Sequence, residues 1–386
     1  MRERSVSYEW TRMDGELKEL PVLKRRLRRK INLAGRERPK KARRGPVDRL
    51  RRTVEEMSFP SIGRHRVVRV FYGTDRQPVH EDGKLAYSAA RNEPDGIELG
   101  TCHVSIPASH ETGRLEKPSI WHWQLRWNPD EHVTLLSMEK RSETDFYTDL
   151  KRAAKSGAAF VFVHGYNVSF EDAARRTAQI AFDLQFRGAP MMFSWPSRAK
   201  AAGYPADEAT IDWTIPHLRD FLQAAGSQGG IKTLHVIAHS MGNRAVARAL
   251  RDLGVARPGI QFNQVLLAAP DIDRGEFLQI ANQIRSVSNR VTLYASSQDR
   301  ALAASRIVHQ YPRAGESGDN IVIVPDIDTI DASNVDTDFL AHSYFCQDWK
   351  LLGDIFRLVR KSDPPSERYG LEEVASARGV YWSFRK

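Results

Sequence analysis

Cysteine is almost missing from these 386 residues: there are two, Cys102 and Cys346. A disulfide framework is thereby excluded, and a reducing, cytoplasmic setting is the expectation. Long apolar runs are missing too. No window approaches the roughly 18 consecutive apolar residues that a membrane-spanning helix needs. The first thirty residues are basic but have no apolar h-region, so they do not read as a secretory signal. Glu3, Glu9, Asp14, Glu16 and Glu19 in the same stretch argue against an organelle transit peptide. Neither a GxGxxG nor a Walker-type loop occurs, and the 12 histidines show no HExxH or clustered spacing. No nucleotide cofactor and no metal are therefore expected.

What is present is unevenly charged. Residues 1–50 hold 17 basic against 7 acidic residues, which accounts for the whole net charge of +10. The densest part is Lys24-Arg25-Arg26-Leu27-Arg28-Arg29-Lys30, followed by Lys40-Lys41 and Arg43-Arg44. Residues 1–60 are expected to form a basic extension, disordered or loosely helical, with a short amphipathic helix at Leu50–Met57. Across residues 24–44 such a run suits an acidic partner or an anionic membrane surface. With few aromatics interleaved it offers no stacking platform, so specific nucleic-acid binding is not expected.

The folded body is predicted over residues 61–362, with 363–386 as a loose C-terminal tail. Residues 61–150 read as short strands with Gly/Pro punctuation, among them Arg66–Tyr72, Gly100–Pro107 and the stretch around Trp121–Trp127. Beyond residue 140, strands and helices alternate, which predicts a mostly parallel sheet with helices on both faces. Ala158–Val163 is apolar throughout, as a strand buried on both faces must be. A helix over Phe170–Phe186 follows, then strands at Pro190–Trp195, Leu234–Ala238, Val265–Ala268, Val291–Tyr294 and Ile321–Val324. A helix over Met241–Leu253 is expected to end at Gly254, and a last helix spans Phe345–Val359. Residues 197–217, with Gly203, Pro205 and Pro216, make a candidate cap over the sheet's carboxyl edge.

The run Ala238-His239-Ser240-Met241-Gly242 carries the chemistry. A nucleophile elbow places serine on a sharp strand-to-helix turn, and small residues must flank it because backbone crowds in there. Leu234–Ala238 supplies the strand and Asn243–Ala247 the helix, so Ser240 is the candidate nucleophile. Alanine stands at 238 where glycine is usual. His164-Gly165-Tyr166-Asn167 follows the buried strand 158–163, where this architecture sets its first oxyanion loop. The backbone N–H groups of Tyr166 and Met241 are the candidate oxyanion donors. The triad order Ser, acid, His then selects Asp299, after Val291–Tyr294, and His342, before the last helix. Asp271 and Asp273 compete for the acid and His309 for the base. The side chain of His164 reads as an anchor for its loop. His164, Gly165, Trp195, Tyr204 and Trp213, with Tyr166, are candidate pocket residues.

Val163–Asn167, Phe193-Ser194-Trp195-Pro196-Ser197, Ala238–Arg244 and Tyr294–Asp299 together resemble an uncharacterised bacterial esterase/lipase-like family, domain of unknown function 900, within the α/β-hydrolases. Val70–Arg76 and Val104–Pro107 are similar to that family's leading strands. The resemblance covers roughly residues 65–360. It implies the α/β-hydrolase fold, with extra N-terminal strands at the sheet edge, and the triad positions, but no substrate. Members often carry a secretory or lipoprotein leader, which the basic head here does not match. The expected function is hydrolysis of a small-molecule carboxylic ester by Ser240, His342 and Asp299 without a cofactor. An acyltransferase or thioesterase would share this machinery. The alternative of another class is a non-catalytic binding protein that uses its basic head.

Overall fold

The computed structural model describes residues 61–62, 64–118, 127–198, 204–257, 259–335 and 349–385. All of them fall in the unit Met57–Lys386. The basic extension at 1–60, with its docking surface at 24–44, lies outside the described residues, as do most of the tryptophan-rich stretch and His342.

The chain enters through strands β1 (Ser61–Ile62), β2 (His65–Thr74), β3 (Arg76–Glu81), β4 (Lys84–Arg91), β5 (Glu98–Pro107) and β6 (Thr134–Arg141). Helix α1 (Glu143–Ala153) follows, then β7 (Ala158–Val163), α2 (Phe170–Asp183), β8 (Ala189–Ser194) and α3 (Tyr204–Gln228). Next come β9 (Thr233–His239), α4 (Gly242–Ala256), β10 (Phe262–Ala268), α5 (Arg274–Ser286), β11 (Ser288–Ala295), α6 (Arg300–His309) and β12 (Ile327–Asp331). Helix α7 (Trp349–Lys361) and the hairpin β13 (Leu371–Ser376) and β14 (Gly379–Phe384) close the chain.

Among the described residues one sheet runs β13-β14-β12-β11-β10-β9-β7-β8-β2-β5-β6, with β1 paired to β2, while β3 and β4 form a separate hairpin. From β14 to β2 every neighbour is parallel, and β5 and β6 extend one edge antiparallel. This is the α/β-hydrolase fold with added N-terminal strands. Because successive strand residues face opposite ways, Ala159, Val161 and Val163 enter one core layer and Phe160 and Phe162 the other. The first layer is completed by α1, α3, α4 and α5, through residues such as Phe146, Phe221, Leu250 and Phe277. The second is completed by α2 and α7, through Phe170, Ala174, Leu352 and Ile355.

Four expectations change. Ile321–Val324 forms no strand: Ile321 and Val322 are buried in a segment without ladder pairing, and β12 lies a few residues on. The tail expected to be loose at 363–386 contains β13 and β14 within its described residues, because Leu371 and Phe384 are buried in the layer under α7 and β14 pairs with β12. Gly254 does not end α4. The helix runs on to Ala256, and Arg257 closes it in the left-handed region at φ 49°. Gly254 instead admits α5, since a Cβ there would stand 2.3 Å from the Gln283 carbonyl oxygen. Finally, residues 204–217 are no separate cap but the first half of α3, with Asp207, Ile211 and Thr214 buried. Pro205 sits in the first turn, where no helical partner awaits its missing N–H.

Candidate active site

Strand β7 lies between β8 and β9, so the connection leaving β7 goes to one side of the sheet and the connection leaving β9 to the other. Such a switch point opens a crevice at the carboxyl ends of the two strands. The loop 164–167 follows β7 and Ser240 follows β9, in adjacent register, Val163 opposite Ala238.

Ser240 occupies the left-handed region at φ 48°. For a non-glycine residue this costs on the order of 1–3 kcal/mol and persists only when the surroundings impose it. They do so by hydrogen bonds. Ser240 N–H donates to the Ala268 carbonyl at 3.0 Å, and the Ser240 carbonyl accepts from the N–H groups of Asn243 at 3.1 Å and Asp271 at 3.2 Å. The Asn243 side-chain amide donates to the carbonyls of Ser240 at 3.0 Å and Ala268 at 2.9 Å. Asn243 is thus the brace of the turn, a role that the elbow pattern alone does not assign. The Ser240 hydroxyl makes no hydrogen bond among the described residues.

The glycines explain the spacing of the motif. A Cβ on Gly242 would stand 2.4 Å from the His164 carbonyl oxygen, and one on Gly165 would meet the Ser240 Cβ at 3.0 Å and His239 Nδ1 at 3.1 Å. The two loops therefore touch closely, and the 164–167 loop lies directly against Ser240. Tyr166 follows Gly165, and Met241 precedes α4, where the helix field favours an anion. Neither backbone N–H donates to another group among the described residues.

His164 is buried beneath this loop, 1% exposed. Its Nδ1 is 2.7 Å from the Gly165 carbonyl and its Nε2 3.3 Å from Ser194 Oγ. Trp195 stacks on it at 5.3 Å and donates its indole N–H to the His164 carbonyl at 2.8 Å. Both side chains form the floor of the loop rather than the wall of a pocket. Tyr166 meets Tyr204 edge to face at 5.5 Å. The Tyr204 hydroxyl donates to Asp271 Oδ2 at 2.7 Å, and burial holds its pKa above the ordinary phenol range. Trp213 lies nine residues farther along α3, about 13 Å by helical rise. Its ring contacts are Arg91 and His217, so it does not converge with Tyr166 and Tyr204.

The candidate acids part company. Asp271 is 3% exposed, and its carboxylate accepts from Arg313 Nε at 2.8 Å, the Ser305 hydroxyl at 2.6 Å and Tyr204. Asp273 caps α5 by accepting from the Glu276 N–H at 2.9 Å. Asp299 follows β11, and its Oδ1 accepts from the Leu302 N–H at 3.0 Å. One strand, β10, separates β9 from β11. Asp299 and Ser240 thus follow the carboxyl ends of two strands that are next neighbours but one in the sheet. His309 closes α6, with Nε2 3.3 Å from Glu208 and 3.4 Å from the Tyr204 hydroxyl. No helix among the described residues is long and apolar enough to cross a membrane.

A family profile agrees with this architecture. Residues 138–359 match the profile of the family described as alpha/beta hydrolase of unknown function, DUF900. The sequence matches no curated protein. Among solved structures, one of two fungal esterases from Rhizomucor miehei aligns with 90% of this chain and 98% of its own, at 12% identity and a TM-score of 0.32. The family profile covers more than half of the chain, and the protein belongs to the DUF900 family of α/β-hydrolases.

Proposed function

We propose that the protein is a serine hydrolase that cleaves a carboxylic ester through an acyl-enzyme. The observation that carries this reading is the conformation of Ser240. A buried serine is held at φ 48° by a brace of backbone and Asn243 hydrogen bonds, at the switch point between β7 and β9. A sharp strand-to-helix turn of this kind presents Oγ at the mouth of a crevice, as an attacking serine requires.

His342, assigned from the sequence order, takes the Ser240 proton as Oγ bonds to the acyl carbon, and the carbonyl π pair moves onto oxygen. The backbone N–H groups of Tyr166 and Met241 receive that oxyanion. As the C–O bond to the alcohol breaks, His342 returns the proton to the leaving oxygen. Water then attacks the acyl-enzyme by the same steps and releases the acid. Asp299 orients the imidazole and stabilises its protonated form. The oxyanion donors belong to two different strand ends, which the glycines at 165 and 242 let approach to contact.

The test is labelling with a fluorophosphonate, followed by turnover of p-nitrophenyl esters of increasing chain length. Wild type is expected to be labelled, and Ser240→Ala and His342→Ala to be silent while folded. A folded wild type that takes no label, or a label that survives Ser240→Ala, refutes the assignment.

A further inference from the structure

A fully buried arginine lies outside the family-matched residues and beneath the site. Arg76 opens β3, separated from β2 by Asp75 alone, and is 1% exposed. Such a guanidinium must be hydrogen-bonded to offset its desolvation. Its Nε donates to Ser194 Oγ at 2.9 Å, and its Nη2 to the Val168 carbonyl at 2.8 Å. Its Nη1 is shared between the carbonyls of Ser197 at 3.1 Å and Ser88 at 3.3 Å. These acceptors lie on four segments: the stretch after the 164–167 loop, the end of β8, the turn beyond it and β4. Burial lowers its pKa to about 10, so it is charged at neutral pH.

Ser194 links this charge to the oxyanion loop. The Gly165 carbonyl can only accept, so His164 Nδ1 carries a proton and donates to it. Ser194 Oγ accepts from Arg76 Nε at 2.9 Å and hydrogen-bonds His164 Nε2 at 3.3 Å. The contacts run unbroken from the Arg76 guanidinium through Ser194 to His164, and from His164 Nδ1 to the Gly165 oxygen. That oxygen belongs to the same peptide unit as the Tyr166 N–H. Because the peptide is planar and trans, fixing the Gly165 oxygen on one side fixes the Tyr166 N–H on the other.

Resting on the serine-hydrolase reading, we propose that Arg76, acting through Ser194 and His164, is a positioning residue that aims the Tyr166 N–H at the oxyanion. The leading strands are then part of the catalytic apparatus rather than an appendage to the sheet edge. Thr74 and Asp75 serve the same corner: Thr74 Oγ1 donates to the Ser194 carbonyl at 2.6 Å, and Asp75 accepts from Thr214 of α3 at 2.8 Å.

Two variants test this, Arg76→Lys, which keeps the charge and loses the fork, and Ser194→Ala, which deletes only the relay. Active sites are first counted by fluorophosphonate titration, so that rates refer to folded enzyme. Removing an oxyanion donor costs about 10²–10³ in kcat; misaiming one is expected to cost about 10- to 100-fold, with KM for p-nitrophenyl acetate nearly unchanged. Affinity for a trifluoromethyl ketone, whose hemiketal carries the oxyanion, should fall by the same factor. A purely structural role would lower the titratable fraction and leave kcat per site and ketone affinity at wild-type values, which overturns the proposal. Should Arg76→Lys not fold, Ser194→Ala decides alone. A wild type that takes no label refutes the hydrolase reading and this proposal with it. A labelled wild type whose variants keep full kcat per site refutes the proposal only.

Discussion

Asp271 is joined to Ser240 through the backbone, its N–H donating to the serine carbonyl at 3.2 Å, while its carboxylate is engaged by Arg313 at 2.8 Å. The two halves of one residue thus brace the Ser240 turn and neutralise a buried cation. A side chain so committed is a structural acid, which makes the contrast with Asp299 testable. Asp271→Ala leaves Arg313 buried and unpaired, and breaking a buried pair costs about 3–5 kcal/mol. Asp299→Asn keeps the cap on Leu302, because Asn and Asp cap equally well, yet loses the charge that, in the proposed mechanism, orients the base. Its denaturation midpoint should match wild type while kcat falls by about 10⁴, the penalty for a triad acid converted to its amide. The reverse pattern, with Asp271 variants folded and inactive and Asp299→Asn fully active, would exchange the two roles.

Gly242→Ala addresses the contact between the two loops. Its Cβ would lie 2.4 Å from the His164 oxygen and 2.8 Å from that of Val163. Both are backbone atoms at the end of a fully paired strand, so neither gives way cheaply. Overpacking of this kind costs about 1–3 kcal/mol, and here the loop that yields carries a proposed oxyanion donor. The expected outcome is a lowered denaturation midpoint together with a fluorophosphonate labelling rate reduced at least about tenfold. Wild-type stability with wild-type labelling would show that the loops do not meet here.

The strand-to-helix turn at Ser240 is legible in the sequence because such a turn leaves a local signature: a strand, a strained position and small neighbours at fixed offsets. The buried strands β7 to β11 were legible for a similar reason, as apolar runs bounded by turns. Strand β12 was not, since Ile327-Asp328-Thr329-Ile330-Asp331 hides its apolar residues among polar ones. Asp328 is matched by Arg290 at 2.7 Å from the neighbouring strand, a partner that local pattern does not reveal. Ile321 and Val322 mimic a strand because burial alone, without a ladder, selects the same residue types. Arg76 was hidden for the opposite reason. An arginine after an apolar strand reads as a surface residue, and its acceptors lie between 12 and 121 residues away along the chain. Trp195 and Trp213 were placed in a pocket on residue type, yet both have packing partners that only the fold supplies.

His110 predicts a stability that falls on the alkaline side. Its ring is buried between two carboxylates, Nδ1 2.8 Å from Glu116 and Nε2 2.8 Å from Asp183, and fastens the loop after β5 to the end of α2. Desolvation opposes its charge, but the carboxylates prevail and raise its pKa from 6.5 to about 10. The folded state therefore holds a proton that the unfolded chain releases above about 6.5. The contribution is complete below that pH and is lost as pH rises toward 10, with a slope of up to about 1.4 kcal/mol per unit. Urea midpoints between pH 7 and 10 should decline in wild type. In His110→Gln they should start lower and run flatter; an equal slope in both would remove His110 as the source.

His235 predicts the opposite arm. It lies on β9 opposite Phe160 of β7 and Gln264 of β10, with Phe186 edge-on at 6.1 Å. Its Nδ1 has no hydrogen-bond partner among the described residues, and burial lowers its pKa from 6.5 to about 4. The folded ring stays neutral where the unfolded ring has already taken a proton, so between about 6.5 and 4 the unfolded state binds more protons. Stability contributed by neutral His235 is thus present above about 6.5 and lost as pH falls toward 4. His235→Leu removes the titration and the unpaired nitrogen together, and its urea midpoint should change less than that of wild type from pH 6.5 to 4.5. With His110 acting above 6.5 and His235 below it, these two groups together favour a stability maximum near that pH. The double variant His110→Gln/His235→Leu should therefore show a flatter profile on both sides, and a wild-type profile in that variant would exclude both histidines as its cause.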